Sequence, residues 1–264
     1  MNISFKTVIL CGGQGTRIRD VNENLPKPMI PVGNLPILWH IMKYYASAGH
    51  KDFVLCLGYK GQVIKDFFLN YEAHTRDFSL QLGAAKGIEY HTDHEEADWR
   101  VTLADTGQEA MTGARVRKIR KYIGNDEYFM LTYGDGVGDI DIAKLIHFHI
   151  AHGRVLTVTG VRPPGRFGEL MISADGRVTE FNEKPQAIAG RISGGFFVCS
   201  KKIFDYLDER EDLVFEQEPM RKLVADGQMM MYKHDGFWQP MDTYRDYAYL
   251  NGLFAKGEAP WIKW

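Results

Sequence analysis

Short apolar runs alternate along this chain with segments whose apolar side chains recur at helical spacing. The runs Thr7-Val8-Ile9-Leu10, Asp52-Phe53-Val54-Leu55-Cys56-Leu57 and Glu127-Tyr128-Phe129-Met130-Leu131-Thr132 are nearly continuous in apolar residues, which is what strands covered on both faces show, and Val155-Leu156-Thr157-Val158-Thr159-Gly160-Val161 reads as a further strand returning to the sheet. Leu35, Leu38, Trp39, Met42 and Tyr45 share one helical face and predict an amphipathic helix over 35–48, and 62–69 reads as another. Asp141 is placed as the N-cap of a third, with Ile142, Leu145, Ile146 and His149 on one side. Short strands and turns follow over 168–198, and a last helix over 244–256 is expected to turn Tyr247, Ala248 and Phe254 inward. This order predicts an α/β fold, doubly wound around a mixed, mostly parallel sheet.

One stretch breaks the alternation. Residues 71–113 are polar and read as an insertion, a loop or small hairpin that covers the site or contacts another copy. Its acidic run, Thr92-Asp93-His94-Glu95-Glu96-Ala97-Asp98, is expected to be solvated surface rather than a metal site. No linker divides the sequence, so 1–264 is read as a single domain.

Composition narrows the classes. A chain of 264 residues, 45% hydrophobic and 25% charged, suits one large α/β domain. A net charge of −2 provides no field to draw the whole protein to nucleic acid or to a membrane. Cys11, Cys56 and Cys199 are isolated in apolar surroundings without metal-ligand spacing, as expected for reduced thiols in a cytoplasmic protein. Residues 1–6 lead straight into the first strand, so no leader is expected, and no apolar run reaches membrane-spanning length.

The chemistry concentrates at strand ends. Leu10-Cys11-Gly12-Gly13-Gln14-Gly15-Thr16-Arg17 places a glycine-rich loop after the first strand. Glycines let backbone N–H groups approach an anion without Cβ interference. The loop has neither the Lys-Ser/Thr of a Walker loop nor the third glycine of a dinucleotide fingerprint. Arg17 adds a cation, and Lys27 adds another between Pro26 and Pro28, which stiffen the backbone around it. Asp135 follows a strongly apolar strand, either as part of an Asp-Gly turn or as a ligand-facing carboxylate. Asp242 could cap the helix that starts near Tyr244 or join Asp135 on a metal. Glu183 and Lys184, ahead of Pro185, could meet a hydroxyl and a phosphate or form a surface pair. Gly194 and Gly195 open a strand, either as a bulge or to admit a flat ligand. Arg115 reads locally as a solvent-exposed guanidinium, and His147, His149 and His152 as ordinary helix residues.

Together these stretches resemble the sugar-1-phosphate nucleotidyltransferases. The resemblance runs from Gly12–Arg17 through Pro26-Lys27-Pro28-Met29, Tyr133-Gly134-Asp135-Gly136-Val137, Arg166-Phe167-Gly168-Glu169-Leu170, Glu183-Lys184-Pro185 and Gly194-Gly195-Phe196 to Phe237-Trp238-Gln239 and Met241-Asp242-Thr243. Several of these point to its cytidylyl branch. The resemblance implies a Rossmann-like, GT-A-like fold. It also implies Mg2+-dependent transfer of CMP from CTP to a sugar 1-phosphate, foremost glucose 1-phosphate, with CDP-glucose and pyrophosphate as products. By the same resemblance Leu10, Gly12, Gly13, Gln14, Gly15, Thr16, Arg17, Lys27, Gly113, Arg115 and Gly134 face the nucleotide. Arg17, Lys27, Asp135 and Lys184 act in catalysis. Glu183, Lys184, Gly194 and Gly195 hold the sugar phosphate, and Asp135 and Asp242 hold magnesium. The family is usually homo-oligomeric. Three positions depart from its pattern: Ala114 stands for a glycine, Ala110 for a threonine and Ser193 for an asparagine. The first two bear on base recognition and the third on the sugar. The same chemistry with another base or sugar, or a nucleotide-sensing relative without turnover, is the alternative.

Overall fold

Seven strands form one sheet: Thr7–Leu10 (β1), Asp52–Leu57 (β2), Arg100–Asp105 (β3), Tyr128–Tyr133 (β4), Leu156–Val161 (β5), Ile192–Ser200 (β6) and Met229–Lys233 (β7), in the spatial order β7-β5-β6-β4-β1-β2-β3. The protein is seen in a computed structural model that describes residues 4–15, 18, 23–83, 87–163, 169–172, 177–182 and 190–264. Strands β4, β1, β2 and β3 run parallel, β5 and β7 are parallel to each other, and β6 is antiparallel to both its neighbours. The sheet is therefore mixed and mostly parallel, as the alternation predicts.

The unbroken apolar runs have a direct cause. Successive side chains of a strand point to opposite faces, and both faces are covered here. Ile9, Phe53, Leu55 and Met130 pack with helix α1 (Ile37–Ser47), while Val8, Val54, Leu131 and Phe197 enter a second core with Val116 and Phe204. Cys11, Cys56 and Cys199 are buried free thiols of these cores. Burial holds all three well above their ordinary pKa, so they are unreactive where they sit.

Several boundaries differ from the sequence reading. Helix α1 begins only at Ile37, because Leu35–Pro36 pairs with Pro31–Val32 in a two-residue ladder. Asp141 does cap α2 (Ile142–His152), accepting from Lys144 N at 2.9 Å. In the last helix, α3 (Tyr244–Ala255), Leu250 is fully buried, with Tyr247 and Phe254 half-buried. Ala248 is exposed, contrary to expectation, since one residue beyond Tyr247 turns the side chain by about 100°.

Residues 71–113 contain the expected hairpin, Phe78–Ser79 with Glu89–Tyr90, and also the edge strand β3. The acidic run is not simply solvated. Glu96 is nearly buried and, with Glu95, accepts from Lys43 of α1 at 2.5 and 2.8 Å, while Asp98 pairs with Lys51 at 2.6 Å. Lys43 in turn lies over the rings of Trp39 and Trp99. Among the described residues no helix is long and apolar enough to cross a membrane.

Candidate active site

Because β1 to β4 are parallel, the loops after Leu10, Leu57, Asp105 and Tyr133 gather at one edge of the sheet, where open α/β folds bind ligands. Arg115, on the helix Thr112–Lys118, ties three of them together. Its guanidinium donates to the carbonyls of Leu57 (2.9 Å), Gly107 (2.8 Å), Gly12 (3.1 Å) and Gln108 (3.2 Å), and to Thr106 Oγ1 (2.8 Å). Arg115 is 4% exposed, so the expectation of a solvent-exposed guanidinium is wrong. Burial pulls its pKa below the usual arginine value, and the five acceptors offset that cost. A Cβ on Gly12 would lie 2.3 Å from Arg115 Cζ, so any larger residue there would displace the guanidinium from its acceptors.

The glycine loop is held from below. Cys11 N donates to Cys56 O at 3.0 Å, Gly134 N to Leu10 O at 3.0 Å, and Tyr59 N to Gly12 O at 3.2 Å. Gly15 has φ +57°, and a Cβ on it would sit 3.0 Å from Lys27 Cβ. A Cβ on Gly13 would meet nothing within 4 Å, so that residue faces open space. Gln14, Gly15, Lys27 and Tyr59 line a shallow, open cleft over the loop. Thr16 and Arg17 lie outside the described residues.

Lys27 begins a 3-10 turn, Lys27–Met29, whose Pro28 and Met29 are buried. Its ammonium donates to Asp135 Oδ2 at 2.6 Å and to Asp242 Oδ1 at 2.5 Å. Burial works against the charge, but the two carboxylates outweigh it and hold the Lys27 pKa above its ordinary value. The carboxylates converge because Gly136–Gly138 pairs antiparallel with Trp238–Pro240, Pro240 facing Gly136. Met241 N extends that ladder to Asp135 O at 2.8 Å. Asp242 does not cap α3. Thr243 does, accepting from Asp246 N, while the Asp246 carboxylate accepts from the backbone N of Thr243 and Asp242 in a capping box. The Asp242 side chain is thereby left for Lys27.

A second group borders this one. Gly194 and Gly195 form a bulge in β6, where the register against β5 shifts between Val158 and Gly160. Gly195 has φ +76°, and a Cβ on it would fall 2.3 Å from the Tyr133 ring. Trp238 Nε1 donates to Gly194 O at 2.8 Å. Tyr133 OH donates to Glu216, which also accepts from Thr112 Oγ1 at 2.6 Å. Burial, then Glu216, pushes the Tyr133 phenol far above its ordinary pKa. Gly113 packs against Leu213 and donates to its carbonyl at 2.8 Å. Glu183 and Lys184 lie outside the described residues. Sequence reasoning missed Trp238 and Glu216 as supports of the site. Both act through hydrogen bonds to residues distant in the chain, which no local spacing announces.

A glycine loop, a lysine and two aspartates at the carboxyl edge of a mixed sheet are the arrangement of an enzyme that handles nucleotide phosphates. The profile of the family described as nucleotidyl transferase matches residues 6–253, and the chain belongs to that family. It is 49% identical over 260 residues to glucose-1-phosphate cytidylyltransferase of Salmonella typhi, covering 98% of this chain and all of the relative. It is 27% identical over 264 residues to mannose-1-phosphate guanyltransferase of Hypocrea jecorina, covering 96% of this chain and 66% of that one. The solved structure of HddC from Yersinia pseudotuberculosis superposes with a TM-score of 0.70 at 24% identity, covering 95% of this chain and 99% of that one, and shows the same fold. The chain is thus a nucleotidyltransferase.

Proposed function

We propose that this enzyme transfers CMP from CTP to glucose 1-phosphate, releasing pyrophosphate and forming CDP-glucose. The observation that carries the reading is Lys27 held between Asp135 and Asp242 beside an open glycine loop, in a chain so close in sequence to a glucose-1-phosphate cytidylyltransferase. Backbone N–H groups of 12–15 cradle the triphosphate. A phosphate oxygen of the sugar phosphate attacks the α-phosphorus in line; the bond to the pyrophosphate oxygen breaks and that oxygen takes the charge. The nucleophile is already an anion, so catalysis rests on positioning and charge neutralisation. Lys27 and Arg17 offset charge on the triphosphate, and Lys184 and Glu183 engage the sugar phosphate. Arg115 shapes the base side by fixing Gly12, Gly107 and Gln108.

Asp135 and Asp242 would hold magnesium. The fit is supported by the ammonium that bridges them: two carboxylate oxygens meet one small cation, and substrate phosphates and water complete such a site. When bound, the metal polarises the α-phosphate. Exposed Leu80, Leu82 and Ile88 in the 71–113 segment support a homo-oligomer. The buried thiols fit a cytoplasmic enzyme. Pyrophosphate release across CTP, UTP, dTTP, ATP and GTP, crossed with a panel of sugar 1-phosphates, tests the reading. Turnover is expected with CTP and glucose 1-phosphate, and a different preferred pair rejects it.

A further inference from the structure

The Lys27 ammonium lies where a divalent cation would have to sit, within hydrogen-bond distance of both Asp135 Oδ2 and Asp242 Oδ1. A cation bound to both oxygens at about 2.1 Å would share that space. Two positive ions cannot occupy it together, so metal entry requires the ammonium to leave. Lys27 has somewhere to go. Its Cβ lies under Gly15, and its side chain also lines the cleft above the glycine loop. Flanking prolines and the buried 3-10 turn fix its backbone, so the movement is confined to the four side-chain torsions. Anionic phosphate in that cleft gives the ammonium new partners on the far side of Gly15. The carboxylates are freed at the same moment.

We propose that Lys27 is a resident counter-cation that keeps divalent metal off Asp135 and Asp242 until nucleotide phosphate draws it into the cleft. Metal and nucleotide then bind with positive coupling, each raising the other's affinity by the same factor. The inference rests on the nucleotidyl-transfer reading of this site and adds an order of events to it. The free enzyme holds its two carboxylates neutralised by its own side chain and does not take up metal without substrate.

Metal uptake is read without turnover, by electron paramagnetic resonance of Mn2+ titrated into the full chain. Wild type alone is expected to bind Mn2+ weakly, and Lys27→Met alone at least about tenfold more tightly with one ion per chain, since the competing cation is gone. Lys27→Arg keeps a cation and should remain weak. Adding Asp242→Asn to Lys27→Met should remove the gained site, which shows that the ion sits where proposed. With the α,β-methylene analogue of CTP present, wild type should bind as tightly as Lys27→Met does alone. Circular dichroism confirms that each variant is folded, and Lys27→Gln is the substitute if Lys27→Met is not. Wild type that binds Mn2+ alone as tightly as with the analogue, or Lys27→Met that gains no affinity, overturns the proposal. Either result, with CDP-glucose still formed by wild type, rejects the exclusion and leaves the transfer reading intact.

Discussion

Met241 donates its backbone N–H to the carbonyl of Asp135 at 2.8 Å, and that bond sets two carboxylates from distant parts of the chain on one ammonium. The three-residue ladder behind it, Gly136–Gly138 with Trp238–Pro240, fixes backbone positions. The carboxylates themselves bear little of the fold. Asp135→Asn and Asp242→Asn should therefore each lower kcat by about 10²-fold or more, as loss of one electrostatic group in a preorganised site does. The melting temperature should move by only a few degrees. Steady-state pyrophosphate release and a thermal melt check both halves, and near-normal kcat at saturating magnesium would remove either residue from the machinery.

Arg115 carries the opposite balance. Its guanidinium satisfies four carbonyls and a hydroxyl in a buried position. Arg115→Met should cost about 3 kcal/mol of stability, because buried acceptors are left unpaired. It should also raise the KM for nucleotide as the glycine loop loosens. Arg115→Lys should rescue little, since one ammonium cannot span the five acceptors. Urea unfolding with kinetics on the same samples decides it.

The two sides of the site differ in what a methyl group would do. Gly195→Ala forces φ +76° on an L residue and drives a Cβ to 2.3 Å from the Tyr133 ring. A loss of about 2 kcal/mol or more is expected. Gly13→Ala meets nothing within 4 Å. It should leave the melting temperature within about 1 °C, as a surface change does, while raising the KM for CTP by crowding the phosphate. Equal effects of the two substitutions on stability would contradict this division.

His149 links stability to pH. It is buried on α2, hydrogen-bonded at Nδ1 to Thr157 Oγ1 at 2.8 Å, and its Nε2 has no hydrogen-bond partner. Burial, then His152, pulls its pKa down from 6.5 to about 4. Below pH 6.5 the unfolded chain takes up a proton that the folded one refuses. The stability present above pH 6.5 therefore declines as pH falls and is fully lost below about 4, by roughly 3 kcal/mol from this residue. His149→Phe should flatten that part of the urea-unfolding profile relative to wild type. An unchanged slope would mean His149 is not the source.

The sequence carried the site further than it carried the fold around it. Lys27 between two prolines and Asp135 between two glycines announce themselves locally. Asp242 did not, although the signal was present: Thr243 and Asp246 have capping-box spacing, which takes the cap away from Asp242. Arg115 was misread because its partners are carbonyls, which every residue type possesses. Strand β3 was hidden inside a polar stretch because it lies at the sheet edge, where Arg100 and Asp105 are exposed. The doubly wound core was legible because β1, β2 and β4, covered on both faces, carry apolar residues at consecutive positions.

The central claim is cytidylyl transfer to glucose 1-phosphate. The most direct measurement is a competition: equal CTP, UTP, dTTP and GTP with glucose 1-phosphate and magnesium, the nucleotide sugars being identified by mass spectrometry at early times. CDP-glucose is expected as the dominant product, and Asp135→Asn is expected to lose it. A dominant product with another base, or CDP-glucose formed undiminished by Asp135→Asn, would contradict the claim.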